Sequence, residues 1–329
     1  MKFDQPYRIF SIKNREEFRR TALEIFQYQA ANNHVYSLFL KNLGRDYRHI
    51  THVEEIPFLP AGLFRSQKII AENADVEAVF ESSTTTGSLP ARHYVHDLGI
   101  YERSFLKAFS LFYGDPSRYM ISALLPSYLE RGNSSLVFMM DRIIRESNHP
   151  LSGFYKDDIP RLLASLDKIK AEGRNAILAG VSFALLDLAE KYSPDLSGII
   201  VMETGGMKGR RKEMTREELH GILKRSFNIG TVHSEYGMTE LMSQAYSAGN
   251  GIFQSPPWMK IMIRDPRDPL SVIDEEMITG GLNIIDLANV YSCSFIATDD
   301  LGRLCEDGGF EVLGRFDGSD IRGCNLMVD

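Results

Sequence analysis

Between residues 78 and 233 short apolar, β-prone runs alternate with longer segments of helical period, and this alternation constrains the fold more than any other feature. Ala78-Val-Phe80, Tyr119 to Leu125, Asn175 to Ala179, Gly198 to Met202 and Asn228 to His233 read as strands. Asp97 to Phe112, Ser134 to Arg145, Ile159 to Ala171, Phe183 to Lys191 and a stretch from Thr215 to about Arg225 read as helices. Gly198 to Met202 is a continuous β-rich run, as in a strand buried on both faces. Thr215-Arg-Glu-Glu218 has the form of a capping box. Such alternation predicts an α/β fold with a mainly parallel, helix-covered sheet. Upstream, Phe18, Ala22, Ile25, Phe26 and Ala30 recur with a helical period, which predicts one or two helices over Asn14 to Leu43. Ile56-Pro-Phe-Leu-Pro60 then reads as an extended connection. After about residue 250 the helical period fades. Met259 to Arg264, Gly281 to Asp286, Ser294 to Thr298 and Phe310 to Leu313 are β runs separated by Gly and Pro, which predicts a smaller, mostly antiparallel subdomain. The expected organisation is an N-terminal helical segment (1–55), an α/β core (56–250) and a β-rich subdomain (251–329). No linker-like stretch separates them, so they are expected to pack together.

Charge and apolar content exclude several classes. A net charge of -7, with Gly209-Arg-Arg-Lys212 as the one local basic run, weighs against a non-specific nucleic-acid binder. The most continuous apolar stretch, Ala176 to Leu186, is interrupted by Ser182 and falls short of the roughly 20 residues a membrane span needs. Met1-Lys-Phe-Asp-Gln5 has no apolar signal core, so a cytoplasmic protein is expected. Cys293, Cys305 and Cys324 are odd in number and lack C-x-x-C spacing, which argues against a disulfide framework or a zinc cluster. His93 and His96 are three apart with no third ligand pattern, and zinc is not expected there.

Four segments are candidates for the chemistry. Glu81-Ser-Ser-Thr-Thr-Thr-Gly87 follows a strand, and Ser82, Ser83, Thr84, Thr85, Thr86 and Gly87 offer hydroxyls and close backbone approach suited to a polyphosphate. A Ser/Thr-rich surface turn reads equally from these residues. In Tyr236-Gly-Met-Thr-Glu240 the aromatic ring suits a purine, and Gly237 allows a close turn. Thr239 suits an α-phosphate, and Glu240 suits Mg²⁺, which prefers oxygen ligands. A strand–turn–helix junction with a buried tyrosine is the alternative. Glu203-Thr-Gly-Gly206 follows a strand, where open α/β sheets bind ligands, or is a simple tight turn. Thr298-Asp-Asp-Leu-Gly-Arg303 also fits an ordinary hairpin turn. His233 reads either as a pocket residue or as a satisfied structural histidine.

Taken together with Gly314-Arg-Phe-Asp317, and in this order, these segments resemble the signature loops of the adenylate-forming superfamily, the acyl-CoA and acyl-protein synthetases. The resemblance runs from about residue 55 to the end. It implies the superfamily's large N-terminal domain, with ATP and Mg²⁺ as cofactors and a carboxylic acid as substrate. The acid is activated to an acyl-adenylate and the acyl group is then passed to a thiol. It also implies that Gly205 and Gly206 lie along the adenine and acyl pocket, that Asp300 holds the ribose hydroxyls, and that Arg315 meets ribose or phosphate. Thr86 and Glu240 are the implied catalytic residues, with Glu240 on the metal. Superfamily loops usually read Ser-Gly-Thr-Thr-Gly followed by Pro and Lys; here Thr84 replaces the first glycine and Arg92 the lysine. Longer members continue into a small domain with a catalytic lysine, and no such domain is expected here. Lys208, Arg210 and Arg211 are candidate substitutes. Within the superfamily the likeness is nearest to the acyl-protein synthetase of the bacterial luminescence fatty-acid reductase system, whose cysteine near the C-terminus is the acyl acceptor. Asp320-Ile-Arg-Gly-Cys-Asn-Leu-Met-Val328 matches that ending and implies Cys324 as acceptor, with a fatty or other acyl group and a reductase or carrier protein downstream. From the residues alone, Cys324 also fits a packed structural cysteine. Transfer to CoA or another external thiol, and a degenerate nucleotide-binding or scaffolding protein, are the competing readings.

Overall fold

The computed structural model describes residues 3–44, 46–83, 89–126, 132–156, 158–205 and 214–316. Helix α1 (Arg15–Asn32) begins at Asn14, whose side chain accepts the Glu17 N–H at 2.9 Å. Its apolar stripe is the predicted one, with Phe18, Ala22, Ile25, Phe26 and Ala30 buried. Asn33 ends α1 and caps α2 (His34–Asn42) by accepting from Tyr36 N, so two helices form where one would otherwise run on.

Strand β1 (Leu59–Pro60) follows, then the hairpin β2 (Ala78–Glu81) and β3 (Arg92–Val95). The alternation comes next: α3 (Leu98–Tyr113), β4 (Met120–Leu124), α4 (Ser135–Ser147), β5 (Gly153–Phe154), α5 (Ile159–Ala171), β6 (Ala176–Val181), α6 (Ser182–Tyr192), β7 (Ile200–Thr204), α7 (Arg216–Phe227), β8 (His233–Tyr236) and β9 (Ala245–Ser247). Beyond residue 250 the described elements are strands, apart from one 3-10 turn at Leu287–Asn289. They are β10 (Ile252–Phe253), β11 (Met259–Arg264), β12 (Val272–Ile273), β13 (Gly280–Asp286), β14 (Phe295–Leu304) and β15 (Phe310–Arg315).

One sheet has the order β5-β4-β6-β7-β8-β9 and is parallel except for its last strand. Every residue of β4 and β6 is buried, as helix-covered parallel strands require. The capping box predicted at Thr215 is formed, with both the Thr215 and Glu218 side chains engaged.

The mainly parallel reading holds for that first sheet alone, and the expectation of a smaller β subdomain needs correction. A second, seven-stranded sheet, β10-β15-β14-β13-β11-β12 with β1 added on β14, is antiparallel apart from the β1 pairing. It is no smaller than the first, which has six strands. All seven residues of β13 are buried and β14 runs for ten residues, so this sheet is a full layer of the core. The strand expected over Asn228 to His233 begins instead at His233. Asn228 takes a left-handed conformation (φ 52°, ψ 46°) and closes α7, so the chain turns before it extends. No helix follows Tyr236; the chain turns and returns antiparallel as β9. The segment Thr298 to Arg303 lies within β14 and is not a hairpin turn.

The apolar core is continuous from Ile9 to Phe310. Buried Gln29 of α1 ties that helix to the chain beyond β13, donating to Asn289 O and Val290 O at 2.9 Å and accepting from Ser294 N at 3.0 Å. Among the described residues no helix is long and apolar enough to cross a membrane.

Candidate functional site

β7 and β8 are parallel neighbours, and their carboxyl ends carry two of the segments singled out in the sequence. Gly205 follows β7 with a positive φ of 68°, and its carbonyl accepts the Ser182 hydroxyl at 2.7 Å. Gly237 follows β8, where a Cβ would meet the Glu235 carboxylate at 2.6 Å. Gly237 therefore makes room for a neighbouring side chain as well as for a turn.

Two adjacent carboxylates beneath these ends have opposite environments. Burial works to raise Glu203, but a hydrogen bond with His220 and the charge of Arg216 prevail and hold it below the usual carboxylate range. No cation pairs with Glu235 among the described residues. Burial pushes it up to about 7, the Thr204 hydroxyl that donates to it opposes this, and the Glu203 charge adds to the rise. Between the ordinary value near 4.5 and about 7 the folded state holds a proton that the unfolded chain has released. This contribution to stability is thus lost as pH rises through that window. Glu235→Gln is expected to be more stable than the parent at pH 8 by about 3 kcal/mol relative to their difference at pH 4. Urea unfolding at both pH values measures this, and a pH-independent difference would overturn the assignment.

Above the strand ends lies a charged cluster. The Tyr236 hydroxyl donates to one oxygen of Asp300 at 2.8 Å, and Arg315 Nε donates to the other at 3.0 Å. Asp300 and Arg315 are register partners on β14 and β15, next to a bulge. Gly302 is needed at that bulge, because a Cβ there would lie 2.3 Å from the Glu311 carbonyl oxygen. Burial raises Asp300, while the Arg315 charge and the Tyr236 bond pull it back. The Tyr236 ring packs edge-on against Phe253 and Phe310, at 5.9 and 5.7 Å.

Glu240 is buried, and burial pushes it up to about 7 against the charges of Arg315 and Arg65, with Asp300 adding to the rise. Its carboxylate takes no hydrogen bond from another side chain among the described residues. No group of three or more His, Cys, Asp or Glu among those residues could hold a metal ion alone. A single buried carboxylate still fits Mg²⁺, which keeps waters and substrate phosphates as its other ligands.

The β2/β3 hairpin lies against this loop, since His93 Nδ1 meets the Thr239 carbonyl at 2.8 Å. Burial holds the His93 imidazole down at about 4, and so neutral. Ser82 closes the hairpin, its hydroxyl accepting from Ala91 N at 2.9 Å, and Ser83 is exposed beyond it. Arg92 points outward and pairs with Glu81 at 2.9 Å. Thr84, Thr85, Thr86, Gly87, Gly206 and Cys324 lie outside the described residues, as do Lys208, Arg210 and Arg211. His233 accepts from or donates to the Tyr113 hydroxyl at 3.1 Å. His96 meets the Asp75 carbonyl, far along the chain from the partner of His93. Cys293 is buried and its thiol is pushed up to about 12; Cys305 is buried and raised as well.

The structure thus brings Tyr236, Gly237, Thr239, Glu240, Asp300 and Arg315 into one region. Sequence reasoning missed Arg65, Glu235, Asn289 and the inward role of His93. Arg65, His93 and Asn289 stand in no local motif and are revealed by long-range contacts alone, whereas Glu235 directly precedes the Tyr236 segment and is set apart only by its burial.

No protein-family model matches this chain, and a search of curated proteins finds no match. Solved structures are similar to it. McyG A-PCP complexed with phenylalanyl-adenylate aligns over 75% of this chain and 42% of its own, at 17% identity and a TM-score of 0.54. The luciferase-like enzyme from the nonluminescent Zophobas morio mealworm aligns over 83% and 62%, at 17% identity and a TM-score of 0.50. Coronafacic acid ligase from Pectobacterium brasiliense aligns over 66% and 43%, at 17% identity and a TM-score of 0.46. The chain therefore spans 42% to 62% of the length of these three proteins. At such identities the likeness is one of fold, shared with the McyG and Zophobas morio structures.

Proposed function

We propose that this chain activates a carboxylic acid by ATP-dependent adenylation. The observation that carries the reading is the Tyr236–Asp300–Arg315 cluster beside buried Glu240, at the carboxyl ends of β7 and β8, in a fold shared with adenylate-forming enzymes. An acid oxygen attacks the α-phosphorus of ATP, and pyrophosphate leaves with the electron pair. The protein's task is positioning and charge stabilisation. Tyr236 offers an aromatic face to the adenine, Asp300 accepts from the ribose hydroxyls, and Arg315 offsets phosphate charge. Thr239 and the Ser82 to Thr86 hydroxyls donate to phosphate oxygens, and Gly87, Gly205 and Gly206 allow close approach. Mg²⁺ held by Glu240 would neutralise charge on the phosphates.

The acyl group then passes to a thiol, which attacks the mixed anhydride and releases AMP. We assign that thiol to Cys324, with a reductase, carrier protein or CoA as later acceptor, on the resemblance of the chain's last residues to acyl-protein synthetases of the luminescence system. A void of about 20 Å³ lies beside Glu235, Thr204 and Tyr246, walled on its other sides by Phe109, Leu136, Met139, Met140 and Met202. It holds no more than a water as it stands. Its methionines have the rotamer freedom to admit an acyl chain.

Carboxylate-dependent ATP–pyrophosphate exchange over a panel of short, long, aliphatic and aromatic acids tests the reading. Exchange with one class of acid is expected, and none with any acid would overturn it. Cys324→Ser is expected to keep exchange and lose covalent acylation of the protein, read by mass spectrometry. Loss of neither would move the acceptor to CoA or an external thiol.

A further inference from the structure

The turn that carries Thr239 and Glu240 is held from outside by two buried polar side chains. His93 on β3 meets Thr239 O at 2.8 Å, and Asn289 Nδ2 donates to Glu240 O at 2.7 Å. Two successive carbonyls are thereby gripped from elements far apart in the chain. A carbonyl only accepts, so the His93 proton sits on Nδ1 and Nε2 is a lone pair. Both anchors are themselves fixed. The His93 ring lies edge-on to Phe64, 5.9 Å away with an interplanar angle of 90°. Gln29 of α1 holds the Asn289 carbonyl from the far side at 2.9 Å.

The arrangement has a cost. His93 Nε2 and Asn289 Oδ1 are both buried without a well-formed hydrogen bond among the described residues, and the two side chains bear on each other, since Asn289 works to raise the His93 imidazole. Each such acceptor forfeits part of its hydration, which is the cost of placing a donor on each of the two carbonyls.

We propose that His93 and Asn289 are positioning residues that hold the Thr239–Glu240 backbone in the geometry needed at the nucleotide. The inference rests on the adenylation reading for its catalytic consequence, and on geometry alone for the hold on the turn. Neither residue touches the reacting atoms. Their effect is felt through where the Thr239 hydroxyl and the Glu240 carboxylate stand, so it falls on turnover more than on substrate affinity.

His93→Met keeps approximate size without a donor, whereas His93→Gln keeps an N–H that reaches a carbonyl. His93→Met is expected to lower kcat for ATP–pyrophosphate exchange by roughly 10- to 100-fold, with KM for ATP and acid within about threefold. His93→Gln is expected to restore most of that loss. Amide hydrogen exchange at residues 238–242, followed by mass spectrometry without substrate, is expected to speed up about tenfold in His93→Met and not in His93→Gln. Asn289→Ala is expected to repeat the kcat-selective loss and the faster exchange, and it serves in place of His93→Met should that variant not fold. Equal kcat and equal amide exchange in His93→Met and His93→Gln would overturn the proposal. So would a parallel loss of kcat, ATP affinity and melting temperature in both His93→Met and Asn289→Ala. Absence of pyrophosphate exchange in the parent with every acid sinks the adenylation reading instead. The amide exchange still decides whether His93 and Asn289 hold the turn.

Discussion

Glu240→Gln is expected to lower acid-dependent ATP–pyrophosphate exchange by about 100-fold or more while making the protein more stable at pH 8. Loss of a preorganised charge or metal contact at the transition state typically costs a factor of 10²–10³. The gain in stability comes from the same residue. Burial pushes Glu240 up to about 7, so at pH 8 the folded state carries a desolvated carboxylate that the amide removes. Arg315 and Arg65 offset only part of this penalty. Exchange assays and thermal melts at pH 8 measure the two effects. Retention of exchange within about threefold would remove Glu240 from the catalytic machinery. A fall in both exchange and stability would make it a structural residue.

Asp286→Ala is expected to destabilise the fold by roughly 4 kcal/mol. Asp286 is fully buried, and its carboxylate accepts four donors. They are Met242 N at 2.7 Å, Ser243 N at 3.0 Å, Ser243 Oγ at 2.6 Å and Ala288 N at 3.1 Å. Alanine strands the three backbone N–H groups in a buried space and leaves the Ser243 hydroxyl to Ser104 Oγ at 3.0 Å. Asp286→Asn keeps one acceptor oxygen but turns N–H groups toward N–H groups, and is expected to recover less than half of the loss. Urea unfolding of the three proteins measures the effect. A cost below about 1 kcal/mol would mean that the stranded donors find other partners. The carboxylate joins the β8–β9 connection to the end of β13, so the variant should also loosen the turn bearing Glu240.

The helices were legible because helical order is written locally. Asn14 and Thr215 cap α1 and α7 through bonds that span three residues, and the apolar stripe of α1 repeats every three to four. Tyr236 and Glu240 were legible as members of one short segment, and Asp300 and Arg315 as members of two more. The sizes of the two sheets were not legible. β13 and β14 are each short of landmarks, and the length of a strand depends on a partner that can lie anywhere in the chain. The same reason explains why Asp300, Asp299 and Gly302 were open to a hairpin reading, whereas they lie in a long bulged strand.

Residue types and local spacing were enough to specify the α/β alternation and the helix starts, because each rests on interactions within a few residues, and they singled out the segments proposed to carry chemistry. Which carboxylate stays ionised was beyond them. Glu203 and Glu235 look alike in the chain, yet Arg216 and His220 reach only the first. The hold of His93 and Asn289 on the Thr239–Glu240 turn was beyond them too. Those contacts span 146 and 49 residues. Burial and long-range register set them, and both come into being only when the sheets pack.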